Sequence, residues 1–555
     1  MPFSSRANDS LAVDPRGENV LTSTRFKPPP FFVLCFLLGA VIVLTPVLLF
    51  PIPPLLDYPN HLARMWLIGG GAGLNPVNHF YAENWRGIAT NVGIDVTAKL
   101  FANIIPAFVL GRILIAFALL LPPLGAVALN VAIFGGWDPW HLLFLFFAFT
   151  LTLLAGFLNF QIGLGATLLC ASVDGKLQPQ GKLILYAARF GFGCLLILIH
   201  PFALVFYGAL LAGIEFGPHL PEKSLRSWLG SFLRTVPAGA VCLGPVLLLL
   251  LWTRAIPGGA NSGEVLFNSP LEALVTLDTP FFSYDVRVDA LFALSVFVIV
   301  FYAARKRPIK MHAGLLAAAG ILTVAALFVP SVTPESAWLD VRLPIMAVLG
   351  ALAASRLSFG NTHRNVLALT AVTLSLVVLR TVWIGWNWSA TVPMLDSMRA
   401  VLASVPAGSA VLPMEHTPSS SDLSSPPRGK FLRGVFETYL HFPALIVPWQ
   451  HAFVPTLFAV AGAHPIKVLP PWDEIAEPRG GGLPSVNALR NSRLQPSYMQ
   501  HWQSRFDYVL VLNADQPDRF GRFVPPAELS LVANAGFAEL FRISHGNSSA
   551  EIRSH

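Results

Sequence analysis

Charged residues are scarce in this chain. Asp, Glu, Lys and Arg make up 12% of its 555 residues, whereas a soluble domain carries about 25%. Hydrophobic residues make up 54%, and the mean hydropathy is +0.61. A chain this long with so few charges must use lipid as part of its solvent. The composition therefore excludes an entirely water-soluble globular protein.

Cysteine and several signature motifs are also scarce. All four cysteines fall inside apolar runs and residues 388–555 contain none, so this last segment must be held together by its own core.

The first 25 residues lack the apolar core and the cleavage site of a signal peptide, which predicts that the first span stays as an anchor. No GxGxxG, Walker or CxxC pattern occurs in residues 388–555, so they offer no nucleotide or metal signature.

The net charge of +7 does not indicate nucleic acid. Lys and Arg concentrate in short connections such as residues 305–310, where they orient helices under the positive-inside rule. No long basic array with interleaved aromatic residues occurs, so we expect no nucleic-acid partner.

Long apolar runs are what the chain has instead. Each run is long enough to cross about 30 Å of hydrocarbon as a helix. We expect about eleven transmembrane helices, at residues 31–50, 107–134, 138–157, 160–174, 183–199, 201–216, 236–252, 288–304, 312–329, 343–357 and 365–386. The Gly-rich segment 156–165 predicts a kink or a broken helix end.

The polarity of the chain predicts three parts. Residues 1–30 are a polar cytoplasmic leader, and residues 31–387 are a transmembrane domain whose first outer loop, 51–106, holds interfacial helices near 62–68 and 95–105. Residues 388–555 are a water-soluble outer α/β domain. In it we expect helices at 391–406 and 525–536, strands at 409–413, 444–449, 506–513 and 538–544, and loops at 425–430 and 477–485.

The segment LLDYPNHLAR, residues 55–64, is the strongest candidate for chemistry. Asp57, His61 and Arg64 are the first ionisable groups after the first span and stand at roughly helical spacing. Such groups are costly beside lipid unless they act in a reaction or pair with one another. The alternative is that Asp57 caps a surface helix and pairs with Arg64.

Other outer loops carry further candidates. The loop 253–287 contains Arg254 and Arg287, and the loop 330–344 places Asp340 and Arg342 against the next span. Glu83 lies in the first outer loop. For each of these residues taken alone, we favour a solvated loop residue or an ion pair over a functional role.

The order of the parts resembles the GT-C superfamily of integral-membrane glycosyltransferases, which take sugars from polyprenyl-phosphate carriers. LLDYPNHLARMW resembles the acidic first-loop motif of these enzymes, commonly Asp-Glu with a His or Tyr a few residues on. Asp57 matches the acid and His61 the later position, while Tyr58 stands where many members have Glu. WLDVRLPIMAVL, residues 338–349, is similar to their late-loop Arg-x-Leu-Pro segment.

The resemblance implies a GT-C-like polytopic α-helical fold and an inverting glycosyltransferase of a bacterial inner membrane. Its partners would be a lipid-linked sugar donor, membrane lipids, and a glycan, lipid or protein acceptor. Asp57 would act as base, or would hold Mg²⁺ or Mn²⁺, and His61 would orient it or the acceptor. A carboxylate can take the acceptor proton, and Arg suits the leaving phosphate. The substrate-binding set would comprise Arg64, Arg342, Arg254, Arg287, Glu83 and Asp340.

Two other classes of protein remain as alternatives. A transporter or flippase would also have many spans, although it would usually show intramembrane charges and related halves. A noncatalytic cell-envelope assembly protein would explain the outer domain equally well.

Overall fold

The computed structural model describes residues 30–88, 90–217, 225–254, 264–306, 309–333, 336–357, 363–416, 427–433, 435–516 and 523–544. Nearly all of the predicted leader, residues 1–30, lies outside these ranges.

Each predicted span coincides with helical structure. The apolar helices are α1 (Pro30–Leu49), α4 (Ala107–Phe134), α6 (Leu158–Leu177), α7 (Lys182–Ile199), α8 (Pro201–Phe216), α9 (Leu225–Arg254), α11 (Val286–Lys306), α12 (Ala313–Ala326), α13 (Arg342–Ala353) and α14 (His363–Ser389). In the described part of the chain, five helices are long and apolar enough to cross a membrane, and shorter apolar helices accompany them. The protein is thus an integral membrane protein, as its composition predicts.

The predicted span 138–157 is an interrupted segment. A 3-10 helix at Pro139–Ala148 is followed by the short helix α5 (Leu151–Leu154), and α6 begins at Leu158. Between α5 and α6, Gly156 has a φ of +87°, which residues with a side chain rarely adopt. The predicted break in the Gly-rich segment is therefore confirmed.

The first outer loop is joined to the C-terminal domain. The loop contains α2 (Tyr58–Ile68), β1 (Tyr81–Glu83) and α3 (Gly93–Phe101), and β1 pairs antiparallel with β9 (Ile466–Val468). The Tyr81 hydroxyl donates a hydrogen bond to the Val454 carbonyl oxygen at 3.0 Å, and α2 packs against the 3-10 helix Phe442–Leu445. Residues of the C-terminal domain are thereby placed beside the candidate segment 55–64.

The C-terminal domain is built on one mixed sheet. Its strands lie in the order β11 (Leu529–Asn534), β12 (Ala538–Ile543), β10 (Tyr508–Leu512) and β6 (Val411–Glu415). β6 and β10 are parallel, and the other neighbours are antiparallel. Helix α15 (Val392–Leu402), which the sequence predicts, packs on β12. The fold class, a helical polytopic membrane protein with a C-terminal sheet-containing domain, is confirmed.

The smaller elements complete the fold. They are α10 (Pro270–Thr276), α16 (Ile446–Gln450), α17 (Trp502–Arg505), β2 (Lys310–Met311), β3 (Val332–Thr333), β4 (Ser336–Ala337), β5 (Ser355–Arg356), β7 (Phe431–Leu432) and β8 (Phe436–Glu437).

Two of our predictions in the C-terminal domain are wrong. The expected helix 525–536 is the strand β11, because Asn534 accepts a hydrogen bond from the Gly536 amide at 2.8 Å and the resulting turn returns the chain as β12. The expected strand 444–449 is helical, as part of the 3-10 helix and α16. A continuous apolar run has no alternation that separates a buried strand from a buried helix.

Candidate active site at the first outer loop

The backbone of Asp57 is fixed by the break between α5 and α6. The Leu56 and Asp57 amides donate to the carbonyl oxygens of Leu154 and Ala155, at 2.9 and 3.0 Å. A Cβ atom added at Gly156 would lie 2.7 Å from the Asp57 nitrogen, so glycine is required for this approach. The Gly-rich break thus positions the candidate acid.

The Asp57 carboxylate does not cap its own helix. Asp57 precedes α2 at the N-cap position, yet within the described residues its side chain makes no hydrogen bond to the first turn. The capping alternative stated above is therefore wrong. The carboxylate instead lies 3.4 Å from Nε2 of His441, and 19% of the Asp57 side chain is exposed. It retains room for another partner.

His441 belongs to the C-terminal domain, immediately before the 3-10 helix that packs on α2. Its side chain is 5% exposed, and within the described part of the chain its Nδ1 atom has no hydrogen-bond partner. A buried nitrogen of this kind costs free energy unless something pairs with it. Nε2 of His441 is therefore the ring nitrogen directed at Asp57, and the other nitrogen is enclosed by the protein.

His61 faces the same domain. Its ring lies 6.0 Å from the ring of Phe458, which also contacts His441 at 5.0 Å and stacks on His464 at 5.5 Å. Burial lowers the pKa of His61 well below its usual value, and the nearby charges of Arg64 and His441 lower it further. Burial likewise lowers the pKa of His464. Both imidazoles are consequently neutral at neutral pH.

Burial disfavours the cation of Arg342, and the nearby charges of Asp57 and Asp340 partly offset that effect. Arg342 is the first residue of α13 and is buried, with its guanidinium carbon 4.8 Å from the ring centre of Phe157 and 5.4 Å from that of Phe202. Asp340 accepts hydrogen bonds from Asn268 and Thr276 at 2.6 and 3.2 Å. The late outer loop thus brings a cation to the same region as Asp57.

Arg64 is committed to a different partner. Its Nε and Nη2 atoms donate to the two carboxylate oxygens of Asp95 on α3, at 2.6 and 3.0 Å. Both side chains are 1% exposed. Arg64 also lies 3.3 Å from Nδ1 of His61. The structure therefore places Arg64 in a buried contact between α2 and α3, and not in a pair with Asp57.

The remaining predicted residues lie in other contacts. Glu83 pairs with Lys99 at 2.7 Å and accepts a hydrogen bond from the Trp85 indole at 3.0 Å. Arg287 is exposed at the first turn of α11, where its amide donates to Asp285. Arg254 ends α9, and its side chain lies outside the described parts of the structure.

The donor set around Asp57 does not suit Mg²⁺ or Mn²⁺. These ions prefer carboxylate, carbonyl and water oxygens, whereas the group within 3.4 Å of Asp57 is an imidazole. Among the described residues there is no cluster of three His, Cys, Asp or Glu side chains arranged for a metal. The suggested cation at Asp57 stays a prediction, and no step proposed below passes through a metal.

Comparisons with known proteins identify a similar solved structure. No protein-family model matches the chain, and no curated protein matches it. Among solved structures, the chain is similar to ArnT from Cupriavidus metallidurans in the apo state. The TM-score is 0.48 at 13% sequence identity, and the match covers 93% of this chain and 98% of that chain.

Sequence reasoning missed the contribution of the C-terminal domain. His441 and Phe458 stand some 400 residues after Asp57 in apolar surroundings, and no spacing links them to it. The available signal was chemical: in LHFPAL, residues 440–445, one imidazole stands among apolar residues, where a titratable side chain needs a partner.

Proposed function

We propose that this protein is a membrane glycosyltransferase of the GT-C type, which moves a sugar from a polyprenyl-phosphate carrier to an extracytoplasmic acceptor. The observation that carries the proposal is the state of Asp57. Its carboxylate is partly exposed, is not used by its own helix, lies 3.4 Å from an imidazole and interacts with the charge of Arg342. A carboxylate in such surroundings can serve as a general base.

The proposed reaction is a single displacement. An acceptor hydroxyl oxygen attacks the anomeric carbon, and its proton passes to the Asp57 carboxylate. The bond between the anomeric carbon and the phosphate oxygen breaks, and the electron pair leaves with the polyprenyl phosphate. The new glycosidic bond therefore has the inverted configuration. Arg342 suits the leaving phosphate because its planar guanidinium can donate to two oxygens at once.

His441 is proposed to orient the base. Its Nε2 atom faces Asp57 at 3.4 Å, and its Nδ1 atom is buried with no partner among the described residues. The neutral His61, packed on Phe458, supports this face of the site. In this scheme the C-terminal domain helps to choose the acceptor.

The proposed setting is a bacterial inner membrane, with the N-terminus in the cytoplasm and the C-terminal domain in the periplasm. Membrane lipids surround the apolar helices, and the acceptor is a glycan, a lipid or a protein. The positive-inside rule supports this orientation, because it predicts a cytoplasmic location for Lys- and Arg-rich connections such as residues 305–310.

Sugar transfer by the purified full-length protein tests the proposal. With a polyprenyl-phosphate sugar as donor, we expect a glycosylated acceptor and free polyprenyl phosphate. Asp57→Asn should lower the rate by roughly 10²- to 10⁴-fold, the usual contribution of a general base. Asp285→Asn is the matched control, because Asp285 is exposed just before α11 and accepts hydrogen bonds from the first turn of that helix.

Three results would contradict the proposal. Full transfer by a normally inserted Asp57→Asn protein would show that Asp57 is not the base. Movement of a substrate across sealed vesicles without a covalent product would indicate a transporter or flippase. Absence of both transfer and transport would favour a noncatalytic assembly protein.

A further inference from the structure

An apolar groove runs between α11 and α14, away from Asp57. Its volume is about 480 Å³, and its walls include Leu291, Phe292, Leu379, Trp383 and Trp386. Leu291 is 65% exposed, Leu379 59% and Trp386 58%. Both helices are long and apolar enough to cross a membrane, so the groove opens to the hydrocarbon of the bilayer.

The groove has the length of one leaflet. Its walls on α14 extend from Leu376 to Trp386, a distance of about 15 Å at 1.5 Å per residue. This is half of the roughly 30 Å of hydrocarbon in a bilayer. A single acyl chain of a phospholipid fits such a depth, whereas a longer polyprenyl chain would extend past it.

Arg428 lies at the end of the groove that faces the C-terminal domain, beside Trp386. The guanidinium carbon of Arg428 lies 3.9 Å from the ring centre of Trp386. Arg428 is exposed, and the described carboxylates leave it without an ion pair. Lys430, two residues on, differs because it is buried and pairs with Asp515 at 2.6 Å. Arg428 therefore keeps its charge available for a ligand.

The loop that carries Arg428 is fixed against the end of α14. Gly429 has a φ of +75°, and a Cβ atom added there would lie 2.6 Å from the Asn387 carbonyl oxygen. The Thr438 hydroxyl donates to the Gly429 carbonyl oxygen at 2.6 Å. A second cavity, of about 290 Å³, continues from Arg428 past Lys430 and Met394. The position of the cation relative to the groove is thus built into the fold.

We propose that the groove and Arg428 form a binding site for a membrane phospholipid with a net negative head group. One acyl chain lies in the groove, and the phosphate meets the guanidinium of Arg428. Trp386 stands at the level of the head groups, where tryptophan is commonly found. Such a lipid would connect α14 to the C-terminal domain. The site is separate from Asp57 and does not depend on the proposed transferase activity.

Native mass spectrometry of the full-length protein tests this site. The protein is exchanged into detergent with equal amounts of phosphatidylglycerol and phosphatidylcholine that carry the same acyl chains. We expect preferential retention of phosphatidylglycerol by the wild-type protein. Arg428→Gln should lower that preference by about fivefold, as expected for one basic residue at an anionic membrane surface.

The matched control is Arg399→Gln. Arg399 is also an exposed arginine over a tryptophan, with its guanidinium carbon 5.0 Å from the ring centre of Trp449, but Trp449 does not line the groove. This control should keep the wild-type preference. A second variant, Leu379→Trp, fills the groove and should lower retention of both lipids while the unfolding temperature stays the same.

Each remaining outcome overturns the proposal. An unchanged preference in a folded Arg428→Gln protein would remove Arg428 from the site. Equal competition by glycerol phosphate would show that the head group binds without a chain. Stronger retention of polyprenyl phosphate than of phosphatidylglycerol, lost in Leu379→Trp, would assign the groove to a lipid carrier instead.

Discussion

Arg64 on α2 and Asp57 at its N-terminus make two acid–base contacts that differ in distance and in exposure to solvent. Arg64 and Asp95 share two hydrogen bonds, and both side chains are 1% exposed. Asp57 and His441 approach only to 3.4 Å, and 19% of Asp57 is exposed. The first pair neutralises its charges internally and excludes water, although Nη1 of Arg64 has no hydrogen-bond partner among the described residues. The second leaves the Asp57 carboxylate partly exposed, as a group that meets a substrate must be.

The same contrast separates the intramembrane charges from Asp57. Arg380 pairs with Asp289 at 2.9 Å and donates to the carbonyl oxygen of Phe281 at 2.7 Å. Arg189 pairs with Asp174 at 2.7 Å. These charges are functional candidates by position alone, yet their partners account for them. Exposure to solvent is therefore a better guide to chemistry here than the presence of charge, because the side chains of both ion pairs are 1% exposed, whereas 19% of Asp57 is exposed.

The largest effect on stability should come from breaking the closed pair. Asp95→Ala leaves the Arg64 cation buried without its partner, and we expect a loss of roughly 3–5 kcal/mol in the free energy of unfolding. Denaturant unfolding in detergent measures it. Lys99→Ala, on the same helix, removes an exposed pair with Glu83 and should cost under about 1 kcal/mol. Equal losses in the two variants would abolish the distinction between the contacts.

A substitution at the open site should alter kinetics and not stability. Arg342→Lys keeps the positive charge but loses the planar pair of donors, so the KM for the lipid-linked donor should rise roughly tenfold or more. The unfolding temperature should stay near that of the wild type. Arg287→Lys, at an exposed position, is the control with unchanged kinetics. A donor KM that responds to Arg287 and not to Arg342 would move the phosphate to the other loop.

The turn that fixes Asp57 should be sensitive to a single methyl group. Gly156→Ala forces a φ of +87° on a residue with a side chain and places its Cβ atom 2.7 Å from the Asp57 nitrogen. We expect a cost of about 1–3 kcal/mol in stability, together with slower transfer. Gly191→Ala, in α7 with open space at its Cβ position, should not destabilise the protein. Normal transfer by Gly156→Ala would show that Asp57 tolerates displacement.

The most gradual expected effect is a pH dependence of stability. The pKa values of His61 and His464 are lowered in the folded protein, so the unfolded chain binds more protons than the folded one below about pH 6.5. Above that pH the two histidines do not lower the free energy of unfolding. As the pH falls below it, the free energy of unfolding decreases by up to about 1.4 kcal/mol per pH unit for each histidine. Unfolding measured from pH 7.5 to 5 should show this decline.

His61→Gln provides the test of that slope. It should remove one histidine's share of the decline while keeping a polar side chain. A decline of the same steepness in His61→Gln would assign the effect to other groups.

Much of the fold follows from local sequence. The apolar runs that mark the spans, the Gly-rich break before α6, the helix α15 and the strands β6, β10 and β12 are all patterns that a short window contains. Where a window was ambiguous, prediction failed. The continuous apolar run 444–449 is equally consistent with a strand or a helix, and the turn at Gly536 determined that β11 pairs with β12.

The sequence by itself determined that the protein is embedded in a membrane and that Asp57 is the first acid after the first span. Hydropathy and the position of a charge after a span are local properties. Only the tertiary structure decided which charges are already satisfied. It paired Arg64 with Asp95, brought Arg342 towards Asp57, and supplied His441 from the C-terminal domain. These contacts join residues far apart in the chain, and side-chain packing fixes them.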